Sequence, residues 1–345
     1  MIKRTPFLLG LLSAVAGIGV LSACVPDLPF SPTATLLPTL ENAPSWEESR
    51  SSIPPGKRLV MGWDNDTLGL TEIGYQVTPG DTLTGTFHVL SQEREERLLW
   101  TMILDGIQVE FTVDGERELL FPTHLGPGEE TSFVFETPPL AEGFHNVIFI
   151  CFLDYDNHSP KADSRRVSMF PSPGPANVWS GDVVPVPTAI PNPSLQWGDS
   201  TTSSPGIWLS RNRSDSVHDA MNRLQWTIRY GERLDYFVHI AGSEREAATG
   251  VALLAFLDYH QISLQVGDPV GPLVSAIAPG EHGVKACSLI APQEEGPHEL
   301  QFARINSVDR PFTFSTATQT DEEGRYRAFS ILSSQRVLLE VSPGQ

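Results

Sequence analysis

An all-β fold of two tandem β-sandwiches, following a signal segment and a proline-rich tether, is what this sequence predicts. Three observations carry that prediction. The chain is internally duplicated, apolar residues alternate with period two, and glycine-bearing turn dipeptides separate the alternating runs. Gly80-Asp81-Thr82-Leu83 corresponds to Gly231-Glu232-Arg233-Leu234, and Glu93-Arg94-Glu95 to Glu244-Arg245-Glu246. Leu104-Asp105 with Gln108 corresponds to Leu257-Asp258 with Gln261, and Pro127-Gly128-Glu129 to Pro279-Gly280-Glu281. Glu142-Gly143-Phe144-His145 corresponds to Glu295-Gly296-Pro297-His298, and the offset drifts only from 151 to 153. A period of that size marks duplicated domains, and 40% hydrophobic residues are enough for a core in each.

At the N-terminus Lys3 and Arg4 precede an apolar run from Phe7 to about Val20, then small residues. The run is shorter than the about 20 apolar residues a spanning helix needs, and has the three-part build of a secretory signal. Its end, Leu21-Ser22-Ala23-Cys24, resembles the lipobox of bacterial lipoproteins. The resemblance implies cleavage of residues 1–23 and acylation of Cys24, leaving the chain extracytoplasmic and lipid-anchored to the cell membrane or envelope. An ordinary cleaved signal with an incidental cysteine is the alternative.

Residues 24–55 hold Pro26, Pro29, Pro32, Pro38, Pro44, Pro54 and Pro55 among Ser and Thr, which reads as a disordered tether. Trp46 lies in it, either docked on the first domain or exposed. Residues 56–170 read as the first sandwich. In Leu83–Leu90, Leu83, Phe87 and Val89 alternate with Thr84, Thr86 and His88, as in a half-buried strand. Further runs are Leu98–Leu104, Ile107–Val113, Thr131–Glu136, Val147–Leu153 and Arg166–Phe170, separated by Asp105-Gly106, Asp114-Gly115 and Pro127-Gly128. The stretch 171–205, with Pro171, Pro173, Pro175, Pro185, Pro187, Pro191, Pro193 and Pro205, reads as an interdomain linker carrying Trp179 and Trp197.

Residues 206–342 read as the second sandwich, with Leu234, Tyr236, Val238 and Ile240 on one face of a strand. Its other runs are Val251–Leu257, Ile262–Val266, Val284–Ile290, Leu300–Ile305 and Arg336–Val341. Matching Ser164-Arg165-Arg166-Val167 to Ser334-Gln335-Arg336-Val337 gives an offset of 170, hence an insertion of about 17 residues. The insertion falls within 311–332 and reads as an added hairpin, with Phe312, Phe314, Tyr326 and Arg327 as candidate binding residues.

The run Leu125-Gly126-Pro127-Gly128-Glu129, Phe133-Val134-Phe135, Gly143-Phe144-His145 and Phe149 to Asp154 resembles the bacterial immunoglobulin-like family CARDB, the cell-adhesion-related domain. The second copy keeps Ile277-Ala278-Pro279-Gly280-Glu281 and Gly296-Pro297-His298 but has Asn306 near the Asp position. The resemblance covers the last half of each repeat and implies two tandem immunoglobulin-like sandwiches. It further implies non-catalytic extracellular modules.

Three sets of polar residues are candidate sites. His145 and His298 recur at a strand start, where an imidazole can bond a loop carbonyl and fix a corner. His88 and His239 alternate outward and read as surface positions. Asp154, Asp156 and Asn157, with Asp163 beyond, offer hard oxygens close together and are the candidate calcium ligands. Ser159 and Arg165 break the EF-hand pattern there, a plain acidic loop is the alternative, and Asp64-Asn65-Asp66 is a weaker set. Other than possible calcium, no cofactor is expected. Cys151 and Cys287 fall one in each half, so a bridge within either domain is impossible. Two buried small hydrophobes or one bridge between domains remain.

Loss of residues 1–23 removes two cations and no acid, taking the formal charge from −19 to −21. So acidic a surface repels phosphate backbones, and no nucleic-acid partner is expected. No Gly-x-Ser-x-Gly elbow, His-Glu-x-x-His or phosphate-binding glycine loop occurs, so the chain reads as a non-enzyme. The expected function is non-enzymatic binding, adhesion or display at the cell surface. The membrane is reached through the lipid, and an unknown surface protein is the favoured partner. A carbohydrate-binding module for an unknown glycan is the alternative, with Trp63, Trp100, Trp208 and Trp226 as available indoles. Trp226 falls opposite Tyr75 in the repeat, which favours core packing of that pair. A glycoside or peptide hydrolase is the third reading.

Overall fold

The computed structural model describes residues 46, 59–64, 75–158, 169–171, 176–181, 196–198, 206–243, 249–306, 308 and 331–343. All of them belong to one compact unit, Ala34–Gln345. The fold is all-β. In the first half the strands are β1 (Leu59–Asp64), β2 (Tyr75–Val77), β3 (Thr84–Ser91), β4 (Glu96–Leu104), β5 (Ile107–Val109) and β6 (Phe111–Val113). They continue as β7 (Glu116–Glu118), β8 (Phe121–Leu125), β9 (Glu130–Glu136), β10 (Gly143–Leu153), β11 (Met169–Pro171) and β12 (Ala176–Ser180). One sheet runs β1-β3-β9-β6-β7, the other β2-β12-β10-β4-β5 with β8 beside β4 and β11 beside β10.

The second half repeats the plan with β13 (Gln196–Gly198), β14 (Gly206–Ser210), the short helix α1 (Val217–Met221), β15 (Gln225–Arg229), β16 (Arg233–Ala241) and β17 (Thr249–Leu257). It ends with β18 (His260–Ile262), β19 (Leu273–Ile277), β20 (His282–Ile290), β21 (Gly296–Asn306), β22 (Ile331–Ser333) and β23 (Val337–Ser342). Its sheets run β13-β20-β16-β14 and β15-β23-β21-β17-β18, with β19 beside β17 and β22 beside β21. In both copies a short early strand lies parallel to the last one, β2 on β12 and β15 on β23, while most other neighbours are antiparallel. This is the immunoglobulin-like plan at the level of its sheets.

The alternation read from sequence sets which face is buried. Phe87, Val89, Trp100, Met102, Phe133, Phe135, Val147 and Phe149 fill the first core, with Phe87 edge-on to Trp100 at 4.9 Å. Leu234, Tyr236, Val238, Ile240, Leu253, Phe302 and Leu339 fill the second. Cys151 and Cys287 are free thiols in separate cores. Burial raises the pKa of both, that of Cys287 to about 12.

A third apolar cluster joins the two halves. Leu99 and Ile103 of β4 with Ile148, Ile150 and Phe152 of β10 meet Ala252, Leu254 and Phe256 of β17 with Ala303 and Ile305 of β21. These residues are the alternate set on strands whose other faces line the sandwich cores. Both seven-stranded sheets are therefore buried on two sides, and four sheets stack into one body. That is why β4, β10, β17 and β21 read as near-continuous apolar runs.

The stretch expected as linker carries strands of both sandwiches. Ala176–Ser180 is buried throughout and pairs with β10, Val178 facing His145, just as Leu339 of β23 faces His298. Gln196–Gly198 joins the second sandwich beside β20. Proline-rich flanks mask these short strands, because composition averages over a window longer than either. Register also corrects the duplicated ends. Pro171 faces Ile150 and Ser333 faces Ala303, so β11 matches β22 at an offset of 162, not 170. Residues 307–330 thus exceed their counterpart, 154–168, by nine residues where about 17 were expected. Phe312, Phe314, Tyr326 and Arg327 lie outside the described residues, as do Cys24 and the signal segment.

Candidate functional site

The polar groups of the described residues converge on the seam between the sandwiches and on two repeated corners. Each corner is built from an Asp at a hairpin and a His at the start of the strand opposite. Asp105 (φ 53°) and Gly106 (φ 82°) form one tight turn, and Asp258 (φ 48°) with Tyr259 (φ 69°) the other. Asp105 accepts from His145 Nδ1 at 2.7 Å and from the Asn146 N–H at 2.8 Å, while His145 Nε2 lies 2.8 Å from the Ala141 carbonyl. Asp258 holds His298 at 2.6 Å and the Glu299 N–H at 2.8 Å, with the Glu294 carbonyl 3.1 Å from Nε2. Burial pulls the His145 pKa down, but Asp105 and the Ala141 carbonyl together outweigh it and raise it. Both imidazoles do what the sequence predicts of them: they fix corners.

The turn differs between copies in one telling way. A glycine follows Asp105, but Tyr259 follows Asp258 in the left-handed region, which costs a non-glycine residue of order 1–2 kcal/mol. Its side chain explains the exception. The Tyr259 hydroxyl lies against the Tyr155 carbonyl and 2.6 Å from Glu299 Oε2. Glu299 is fully buried and paired with Arg336, which donates through Nε at 2.9 Å and through Nη2. Arg336 Nη1 crosses the seam to the Leu153 carbonyl at 3.0 Å and the Asp154 carbonyl at 3.2 Å. Burial raises the Tyr259 pKa strongly, so the phenol stays neutral. The guanidinium thus directs its donors to a carboxylate and, through Nη2 at 3.1 Å, the Tyr259 hydroxyl oxygen of one sandwich, and to two carbonyls of the other.

A second seam contact is reciprocal. The Gln108 N–H donates to Gln261 Oε1 at 2.6 Å, and the Gln261 N–H to Gln108 Oε1 at 2.6 Å. Gln108 Nε2 reaches the Tyr259 carbonyl at 2.9 Å, and Gln261 Nε2 the Gly106 carbonyl at 2.8 Å. Since Gln108 and Gln261 are repeat equivalents, β5 and β18 meet as the two halves of an isologous contact.

Of the candidate calcium ligands, Asp156 has its carboxylate in an ion pair, and Asp154 and Asn157 take part in backbone bonds. Asp156 pairs with Arg97, the Asp154 carbonyl accepts from Arg336, and the Asn157 N–H donates to the Asp154 carbonyl at 2.9 Å. Asp163 lies outside the described residues. Among the described residues no group of three or more His, Cys, Asp or Glu side chains is placed to hold a metal ion.

The tryptophans are mostly interior. Trp46, Trp100, Trp179, Trp208 and Trp226 are all buried, and Tyr75 and Trp226 sit at matching core positions beside the last strand of each copy. Trp208 lies under α1, packed on Ala220 and Ala241. Its ring stacks on His239 at 5.0 Å and on His282 at 5.1 Å. His239, expected at the surface, is fully buried. The alternation places it correctly on the outer face, but α1 and Trp208 cover that face. Ser210 Oγ donates to the Asn212 carbonyl at 2.7 Å, His239 Nε2 lies 2.8 Å from Ser210 Oγ, and Nδ1 lies 3.2 Å from His282 Nε2. Burial, with His282 adding, pushes the His239 pKa down to about 4, so the chain is one of neutral imidazoles.

No family model matches the chain, and no curated protein matches it. Among solved structures, the crystal structure of red sea bream transglutaminase is similar over 84% of this chain and 32% of that one. Identity is 11% and the TM-score 0.23, so this chain spans about a third of that enzyme's length and the likeness carries no argument about activity.

Proposed function

We propose that this chain is a lipid-anchored extracytoplasmic protein whose paired immunoglobulin-like sandwiches, resembling CARDB modules, serve non-enzymatic binding or display, with a surface protein as partner. The observation that carries this reading is the core shared between the sandwiches. Two modules on a loose linker would sample many orientations. A body cemented by Ile150, Phe152, Leu254 and Phe256 presents its outer faces and loops at fixed spacing, which lowers the ordering cost of engaging an extended partner. The signal segment and Leu21-Ser22-Ala23-Cys24 supply the address. The Arg336–Glu299 pair, the Asp–His corners and the glutamine pair are each engaged in holding elements together, which supports a scaffold over a reaction centre. Burial of five indoles weighs against a flat aromatic platform for sugars.

Two measurements test the reading. Cys24→Ala should move the protein from the membrane fraction to the medium or leave it as unprocessed precursor. An unchanged membrane fraction with a mature-sized band refutes lipid anchoring. Residues 34–345, passed over host surface protein and over purified envelope polysaccharide with and without EDTA, should be retained on protein in both buffers. Retention on polysaccharide alone would replace the protein partner with a glycan, and release by EDTA would bring a cation into the contact.

A further inference from the structure

The two outer sheets carry the same tryptophan–histidine stack, but the tryptophan arrives from different places. In the second sandwich Trp208 sits on β14 directly opposite His239 of β16. In the first, the residue opposite His88, the repeat equivalent of His239, is Gly62 of β1. The missing indole is supplied by Trp46, which lies outside the strand and is separated from β1 by residues 47–58. Its ring stacks on His88 at 5.1 Å and 9°, against 5.0 Å and 7° for Trp208 on His239. A Cβ added to Gly62 would lie 2.6 and 2.7 Å from two carbons of that ring. Gly62 has no left-handed φ to require glycine, so space for the indole is what the residue supplies.

The third side of the site is polar. Trp46 Nε1 donates to Glu130 Oε1 at 2.6 Å. Glu130 stands where the second copy has His282, each two residues before the position facing the histidine across the sheet. The second copy's Trp208 Nε1, by contrast, is buried without a partner among the described residues. The first copy thus has a floor, a stacking wall and an acceptor arranged for an indole that β1 does not carry at the position opposite His88.

We propose that Gly62, His88 and Glu130 form an indole-binding slot on the outer face of the first sandwich, with Trp46 as its resident but separable ligand. The ligand class is an indole side chain carried by a peptide segment. Docked, Trp46 fastens the chain ahead of β1 to the sheet. Undocked, it opens the slot. The inference does not depend on lipid attachment.

Three variants of the full-length chain, held in mild detergent, test it. Trp46→Ala should lower the melting temperature of the body, and millimolar indole or N-acetyltryptophanamide should restore part of the loss by filling the vacated slot. Adding Gly62→Trp to Trp46→Ala copies the second sandwich's arrangement, and should restore the melting temperature while abolishing the response to indole. Gly62→Trp alone should evict Trp46, so trypsin should cut at Arg50, Lys57 or Arg58 roughly tenfold faster than in the parent. An indole response that is absent from Trp46→Ala, or equal in the double variant, overturns the slot. Unchanged trypsin cleavage in Gly62→Trp overturns the fastening by Trp46, even if Trp46→Ala fails to fold.

Discussion

His239 is held neutral by its surroundings, and that has a consequence for acid stability. Its pKa is about 4 in the fold against 6.5 for the free side chain, with burial the main cause, His282 adding to it and Asp215 opposing. Between those values the unfolded chain takes up a proton that the folded one refuses. Stability should therefore fall as pH drops from about 7 to 4, by at most about 3 kcal/mol from this residue. His282, lowered by burial, adds in the same direction, and His145, whose pKa is raised, works against it. Urea unfolding at pH 7 and 4.5 should show the loss, and His239→Gln should shrink the difference between the two. Arg336 is the second residue on which much depends. Arg336→Met leaves Glu299 buried without its cation and should cost roughly 3–5 kcal/mol, whereas Arg336→Met with Glu299→Leu should cost less than the single change. Equal losses in the two would mean that the charge pair is not what Arg336 contributes. Sequence made His145 and His298 legible as corner residues, since each opens a strand beside a loop. It could not show that Arg336 meets Glu299, 37 positions away, because nothing local marks a buried pair.

Strands were the most legible elements. Period-two alternation places Phe87, Val89, Tyr236 and Val238 inward, and the Asp-Gly dipeptides turn where expected, with positive φ at Asp105, Gly106, Asp114 and Gly115. Two kinds of element escaped. Ala176–Ser180 is only five residues long among prolines, and its burial comes from pairing with β10, far off in sequence. The outward faces of β4, β10, β17 and β21 are apolar because they meet one another, which a continuous apolar run suggests without naming the partner. Leu254 stands in the middle of that contact. Leu254→Ala should lower stability by roughly 2–5 kcal/mol, as for a fully buried core leucine. A loss of only a few tenths, read by the same urea titration, would mean that the sheets meet loosely.

At the scale of the whole molecule, duplication has produced a single four-sheet stack instead of two beads on a string. The apolar seam, the reciprocal Gln108 and Gln261 contacts, and the Arg336 bridge all span the halves. Fixed presentation, and with it the proposed binding role, requires the halves to behave as one body. Differential scanning calorimetry of residues 34–345 tests this directly. One transition, with equal calorimetric and van't Hoff enthalpies, is the expected result. Two resolved transitions, each carrying about half the heat, would show that the sandwiches unfold independently and that the seam does not bind them into one body.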